Sequence, residues 1–322
     1  MKKYKLLLIT RSDPHFNARL HTLFYRKLNR YFDTSIIEGP KHDIQISPEE
    51  VIERYNPDVT LCHAHAKKLM GFFKPFKCLK VMMAVDFHKI LRRQNYDFYN
   101  TNNFDIVFQR GCIDYKTYNT INKPFPDEQM VWLPFSADRN IFNPRWDVWD
   151  NRKKKIAFVG TYSGEVYEIR RRAISHLYGN IYNAEDQVIT KPSMVIKTNE
   201  YYPHFLQKYI SYLNGADPMV FYSPYAKIFE IIASGALLFT SPFGSSNILF
   251  PKDCFVEYKE DCSNIIEKAK YIMNNASEMK IKAMMAYSYY EEQHTDDKRL
   301  QELTDNIINQ LEGRPLIRKW GQ

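Results

Sequence analysis

The 322-residue sequence predicts an α/β protein that winds two parallel sheets, one after the other. Three observations carry this. Short apolar strands alternate with segments of helical periodicity, the alternation restarts near residue 155, and the chain is about twice the length of a typical single domain of roughly 150 residues. Residues 5–10 form a buried strand, and residues 16–31 place Leu20, Leu23, Phe24 and Leu28 on one helical stripe, which makes a βα opening. Strands follow at 34–37, 58–62, 79–85 and 104–108, with segments such as 48–55 suited to helices, and 131–135 supplies a sixth strand. Residues 143–154 are polar and broken by Pro144, hence a linker. The pattern then begins again, with a strand at 155–160, a loop at 161–164 and a helix at 169–177. Further strands are expected at 219–222, 236–240 and 254–258, and helices at 264–274 and 301–311. The domains expected are 1–145, 152–295 and a C-terminal helix in 296–322 that packs back toward the first domain. Two such halves facing one another form a crevice at the carboxyl ends of their strands, where ligands bind in this fold class.

Composition narrows the function classes. The apolar run 6–9 after Lys2, Lys3 and Lys5 is too short for a secretory signal, and no run approaches a membrane span. Five scattered cysteines without a Cys-x-x-Cys pair argue against a disulfide framework or zinc site, and a reducing cytoplasm is expected. The net charge of +8 divides as +6 over residues 1–150 and +2 over 151–322, so the first half is the place for an anionic partner, or simply for solubility.

The stretch 223–240 holds the most chemistry. Ser223 suits an N-cap, Pro224 the first helical position and Gly235 a left-handed stop, which predicts a helix over 224–234 leading into a buried strand. Lys227 and Glu230 then share a face. At a helix start, free N–H groups and the dipole favour phosphate, and Lys227 adds a full charge. Glu230, one turn deeper, suits a ribose. The same two residues could equally form an ordinary i, i+3 surface ion pair.

In order along the chain, these residues resemble the GT-B glycosyltransferases, and most closely the CgeB-type, spore-maturation-like branch. The resemblance rests on Leu133-Pro134-Phe135 with Asp138 and Phe142-Asn143-Pro144 at the linker, and on Phe158-Val159-Gly160 with Arg170-Arg171-Arg172 at the start of the second domain. It continues through Lys227-Ile228-Phe229-Glu230, Ala233-Ser234-Gly235, Leu249-Phe250, Val256-Glu257-Tyr258 and His294-Thr295 with Arg299. The donor block is also similar to that of phage DNA glucosyltransferases, which carry Arg-x-x-Glu at the place of Lys227 and Glu230. The fold implied is GT-B: two facing Rossmann-like doubly wound domains with a crevice between them. The resemblance implies a metal-independent hexosyltransferase that uses a nucleotide-sugar donor as co-substrate, UDP-sugar favoured, with no further cofactor. One departure bears on mechanism. Many retaining enzymes of this fold carry Glu-x7-Glu, whereas the first position here is Tyr222 and only Glu230 is present.

Candidate residues follow. Lys227, helped by Arg170 or Arg171, would stabilise the leaving nucleoside diphosphate, and Gly160, Ser223 and Glu230 would complete the donor site. An inverting transfer needs a base for the acceptor hydroxyl, and the strand ending at Val85 delivers Asp86 and His88 at its carboxyl end, although an Asp there is often a cap or turn former. Asp13 and His15 after the first strand, and His63 and His65 after the third, are candidates for acceptor binding. The His-x-His lacks a clear third metal ligand, so no metal is expected. The acceptor is open between a hydroxymethylated pyrimidine in phage-type DNA, held by phosphate contacts with the base flipped out, and a cell-surface, spore or phosphorylated glycan. Two other classes compete: a nucleotide-sugar 2-epimerase of the same fold, and a binding protein with a degenerate site.

Overall fold

The computed structural model describes residues 3–12, 24–40, 45–63, 69–84, 93–111, 129–160, 167–178, 201–216 and 224–320. These divide into two units, one built from residues up to Gly111 together with Tyr115–Pro134 and Arg299–Gln322, the other chiefly from Phe135–Lys298.

The first unit is a six-stranded parallel sheet of β1 (Lys5–Ser12), β2 (Asp33–Pro40), β3 (Val59–His63), β4 (Leu79–Ala84), β5 (Ile106–Gln109) and β6 (Met130–Trp132), in the order β2-β1-β3-β4-β5-β6. Its strands are apolar on both faces, as a sheet covered on both sides requires. Leu6, Leu8, Leu61, Val81, Met83 and Phe108 pack on one face with Phe24 and Leu28. Helix α1 (Pro48–Tyr55) starts at Ser47, whose hydroxyl accepts from Glu50 N at 3.2 Å while Glu50 Oε2 accepts from Ser47 N at 2.9 Å, a reciprocal cap. Helix α2 (Arg93–Asn102) ends in the buried Asn102, which accepts from Phe73 N at 2.9 Å and donates to Leu69 O and Phe98 O at 3.1 and 2.8 Å.

The second unit is a four-stranded parallel sheet of β7 (Lys153–Phe158), β8 (Tyr209–Asn214), β9 (Leu237–Thr240) and β10 (Phe255–Glu257), in the order β10-β9-β8-β7. Around it lie α3 (Glu168–Leu177), α4 (Tyr201–Leu206), α5 (Ala226–Ala233), α6 (Ser246–Leu249), α7 (Ile265–Asn274), α8 (Ala276–Gln293) and the start of α9 (Asp296–Leu311). From residue 299 onward α9 belongs to the first unit, where Leu300, Leu303 and Ile307 enter the core.

Several expected elements shift. The sixth strand stops at Trp132, and the linker carries a 3-10 turn, Trp146–Asn151, before β7 begins at Lys153 rather than at 155. The strand expected at 219–222 falls outside the described residues. Strand β8 was not predicted, because the polar residues Ser211 and Asn214, both buried, interrupt its apolar run. Helix α8 was also missed. Its buried stripe of Met279, Ala283, Ala286 and Tyr290 is narrow, while Ile281, Met284 and Met285 are exposed and blur the period. The last helix begins at Asp296, five residues ahead of the expected 301.

Candidate functional site

The carboxyl ends of β7, β8 and β9 gather small and polar residues. Asn214 Nδ2 donates to Thr240 Oγ1 at 3.1 Å, Tyr258 OH donates to Asn214 O at 2.8 Å, and Ala216 N donates to Ser241 Oγ at 2.9 Å. At Gly215 a Cβ would stand 3.1 Å from the Arg170 backbone, so the bare glycine lets α3 close on the strand end. Gly160, after β7, has φ +125°, and a Cβ there would lie 3.3 Å from both Cε and Nζ of Lys227.

Helix α5 presents the charged pair. The expected N-cap is corrected: α5 begins at Ala226 with Tyr225 as its N-cap, no side chain caps it, and Pro224 precedes it; Ser223 lies outside the described residues. The C-terminal stop is as expected. Gly235 has φ +68°, and a Cβ there would come within 2.6 Å of Pro144 Cβ and 3.0 Å of the Trp146 ring. The face opposite Lys227 is apolar, with Ile228, Phe229, Ile231 and Ile232 fully buried. Phe229 rests on His294, which also contacts Phe250 and Tyr289 and whose Nε2–H donates to Leu249 O at 2.6 Å. Leu249-Phe250 and His294 thus meet to hold α5 in place.

The surface ion pair considered for Lys227 and Glu230 is not what forms. Glu230 is buried and no ion pair joins it to Lys227; instead Glu230 Oε2 accepts from Tyr202 OH at 2.8 Å. Lys227 Nζ lies 5.6 Å from the centre of the Tyr202 ring, and among the described residues it has no hydrogen-bond or ion-pair partner. Burial holds its pKa down to about 8; nearby Arg170 adds to that shift and Glu230 opposes it. Burial also pushes the Glu230 carboxyl up, against the pull of Lys227 and Tyr202.

Of the two arginines offered as helpers, Arg170 is buried, donates to Gly215 O at 3.3 Å and lies over the Tyr167 and Phe158 rings at 4.6 and 5.8 Å. Arg171 is on the exposed side of α3, because one residue along a helix turns the side chain by about 100°. His63, at the end of β3 in the first unit, has Nδ1 at 3.3 Å from Thr10 Oγ1 and its ring 4.8 Å from that of Tyr25. Asp13, His15, His65, Asp86, His88 and Tyr222 lie outside the described residues. Among the described residues, no three His, Cys, Asp or Glu side chains converge as metal ligands, and no disulfide joins Cys62, Cys78, Cys254 or Cys262. The sequence reading missed Tyr202 and Gly215. Nothing in Tyr202's local pattern signals it, since its partner is 28 residues away.

Comparison with known proteins places this geometry. Residues 166–305 match the family model described as glycosyl transferase-like. No curated protein sequence matches significantly. Solved structures are similar over nearly the whole chain. A sucrose-phosphate synthase from Thermosynechococcus elongatus matches at 11% identity and a TM-score of 0.65, covering 97% of this chain and 100% of that one. A glycosyltransferase from Rickettsia africae matches at 11% and 0.62, covering 97% and 99%. An α-glucosyltransferase in complex with UDP-glucose and DNA containing an abasic site matches at 8% and 0.61, covering 95% and 99%. At such identities the likeness carries the fold, which is GT-B with two parallel sheets. The family match carries the enzyme class, glycosyltransferase. No helix among the described residues is long and apolar enough to cross a membrane.

Proposed function

We propose that this chain transfers a hexose from a nucleoside diphosphate sugar, UDP-sugar favoured, to a hydroxyl acceptor, with residues 152–295 as the donor domain. One observation carries the reading. The Lys227 ammonium is partly buried beside a bare Gly160, at the first turn of a helix, without an anion to neutralise it. A diphosphate supplies that charge and accepts from the N–H groups at the start of α5. Glu230, one turn on, accepts from the ribose, and Arg170 raises the positive potential behind Lys227 without itself needing to touch the ligand.

In this reading the acceptor oxygen bonds to the sugar's anomeric carbon as the bond from that carbon to the diphosphate oxygen breaks. The proton of the acceptor hydroxyl passes to Asp86, with His88 beside it in sequence, and the leaving diphosphate keeps the bonding electrons, stabilised by Lys227 rather than by a metal. With tyrosine at 222, the chain lacks the first carboxylate of the Glu-x7-Glu pattern, so that motif gives no support for retention.

For the acceptor, the +6 charge of the first 150 residues and the likeness to an α-glucosyltransferase solved with DNA support a hydroxymethylated pyrimidine in DNA, bound through Asp13, His15, His63 and His65 in a cytoplasmic setting. A phosphorylated glycan would use the same charge.

The test is nucleoside diphosphate release from a panel of UDP-, GDP- and ADP-sugars, for the wild-type chain and for Asp86→Asn. Release dependent on acceptor, lost on removing Asp86 while nucleotide binding persists, is expected. A changed sugar still attached to its nucleotide would show an epimerase instead. Unchanged nucleotide affinity in the Lys227→Ala, Glu230→Ala double variant would remove the donor site from α5.

A further inference from the structure

One side chain touches both charged groups of α5. Tyr202 donates to Glu230 Oε2 at 2.8 Å, and its ring faces Lys227 Nζ at 5.6 Å. Among the described residues, Glu230 Oε1 accepts no hydrogen bond. Lys227 and Glu230 are three residues apart on one helix, so a free Glu230 could turn onto Lys227, and each charge would then quench the other. The tyrosine prevents this in two ways. Its hydroxyl occupies one carboxylate oxygen, and its ring face attracts the ammonium without offering a lone pair or a negative charge.

The tyrosine is itself fixed. Its ring meets Phe142 edge-on, with centroids 6.0 Å apart at 85°. The next turn of α4 is held to the sheet, since Tyr212 OH donates to Phe205 O and the Phe205 ring packs on Tyr209 and Tyr212. A hydroxyl that only needed a partner could have used a backbone carbonyl; this one is spent on a carboxylate.

We infer that Tyr202 is a positioning residue that makes the site selective for a ribonucleotide over its 2′-deoxy counterpart, by holding Glu230 Oε2 so that Oε1 is left to accept from a ribose hydroxyl. This rests on reading Glu230 as the ribose contact. With Oε2 occupied, a single oxygen meets the sugar edge, and a ligand lacking the hydroxyl leaves that oxygen without the sugar as donor. Without Tyr202, Glu230 turns toward Lys227, and both the hydroxyl contact and the diphosphate contact weaken together.

The experiment is calorimetric titration of the full chain with ADP, GDP, CDP and UDP and the 2′-deoxy form of each, for wild type, Tyr202→Phe and Glu230→Gln, with melting curves run in parallel. The expected result has three parts: wild type prefers the ribo form of one nucleotide; Tyr202→Phe lowers that preference about five- to tenfold and weakens binding of the ribo form; and the melt still shows a folded protein. A Tyr202→Phe chain that is less stable but keeps the wild-type affinity and preference would overturn the inference, because that is what a merely structural tyrosine gives. A wild-type chain that binds no nucleotide, or a Glu230→Gln chain that keeps full preference, would overturn the ribose reading of Glu230 and the inference with it. Should Tyr202→Phe not fold, Tyr202→Met fills much of the same volume without a donor and carries the same expectation.

Discussion

A partly buried cation with no ion-pair partner lowers stability, so Lys227 should trade folding free energy for ligand affinity. Replacing it with Met removes the desolvation cost and keeps the aliphatic stem. Lys227→Met is expected to raise stability by about 1 kcal/mol, read as a higher urea midpoint, and to abolish nucleoside diphosphate binding in the same preparation. The pH dependence follows from a pKa held down to about 8. Below that pH the ammonium is charged and binds the diphosphate; above it the amine is neutral, so affinity measured from pH 6 to 10 should fall as pH rises through about 8. For stability the sign is opposite. The unfolded lysine titrates nearer its usual value and holds its proton through the window above 8, so the Lys227 contribution to stability rises with pH there and is at its lowest below 8. In Lys227→Met both dependences should disappear. Lys227 and Glu230 could be picked out from the sequence as a pair on one helical face, because the spacing alone decides that. Tyr202 could not, since only the return of α4 beside α5 brings its hydroxyl to the carboxylate.

Helix α5 shows which ends of an element a sequence declares. Its stop was legible, because only glycine takes φ +68° without strain, and here a Cβ would also strike Pro144. Gly235→Ala meets both obstacles and is expected to cost about 2–4 kcal/mol, measured by urea unfolding of the whole chain. Its start was not legible. Ser223-Pro224 has the chemistry of a helix entry, yet Tyr225 caps α5 without a side-chain bond, so tertiary packing rather than local capping sets the first turn. The same reason hid β8 and α8. Strand β8 buries the polar Ser211 and Asn214 within its apolar run, and α8 packs through the small residues Ala283 and Ala286 while large apolar residues stand exposed. Periodicity reports amphipathic surfaces, and neither element is one.

For the molecule as a whole, the alternation of strands and helices was enough to predict two parallel sheets, because a parallel strand requires a crossover and the crossovers are written as helices. The C-terminal stretch is an integral part of the first unit. Arg299 is fully buried, donating through Nε to Pro134 O at 3.1 Å and through Nη1 to Glu302 at 3.0 and 3.1 Å, with Trp320 stacked over its guanidinium at 4.5 Å. Arg299→Met breaks that set and is expected to cost about 2–3 kcal/mol, seen as a lower unfolding midpoint. Nucleoside diphosphate affinity should be unchanged, because Gly160, Tyr202, Lys227 and Glu230 all belong to the other unit. The excursion of α9 also sets an order of events during synthesis. The first sheet leaves the ribosome early but lacks Leu300, Leu303 and Ile307, while the unit of Phe135–Lys298 is already whole by the time they are made. The half that is translated first is therefore finished last, and until then its apolar face is the part of the nascent chain most in need of a chaperone.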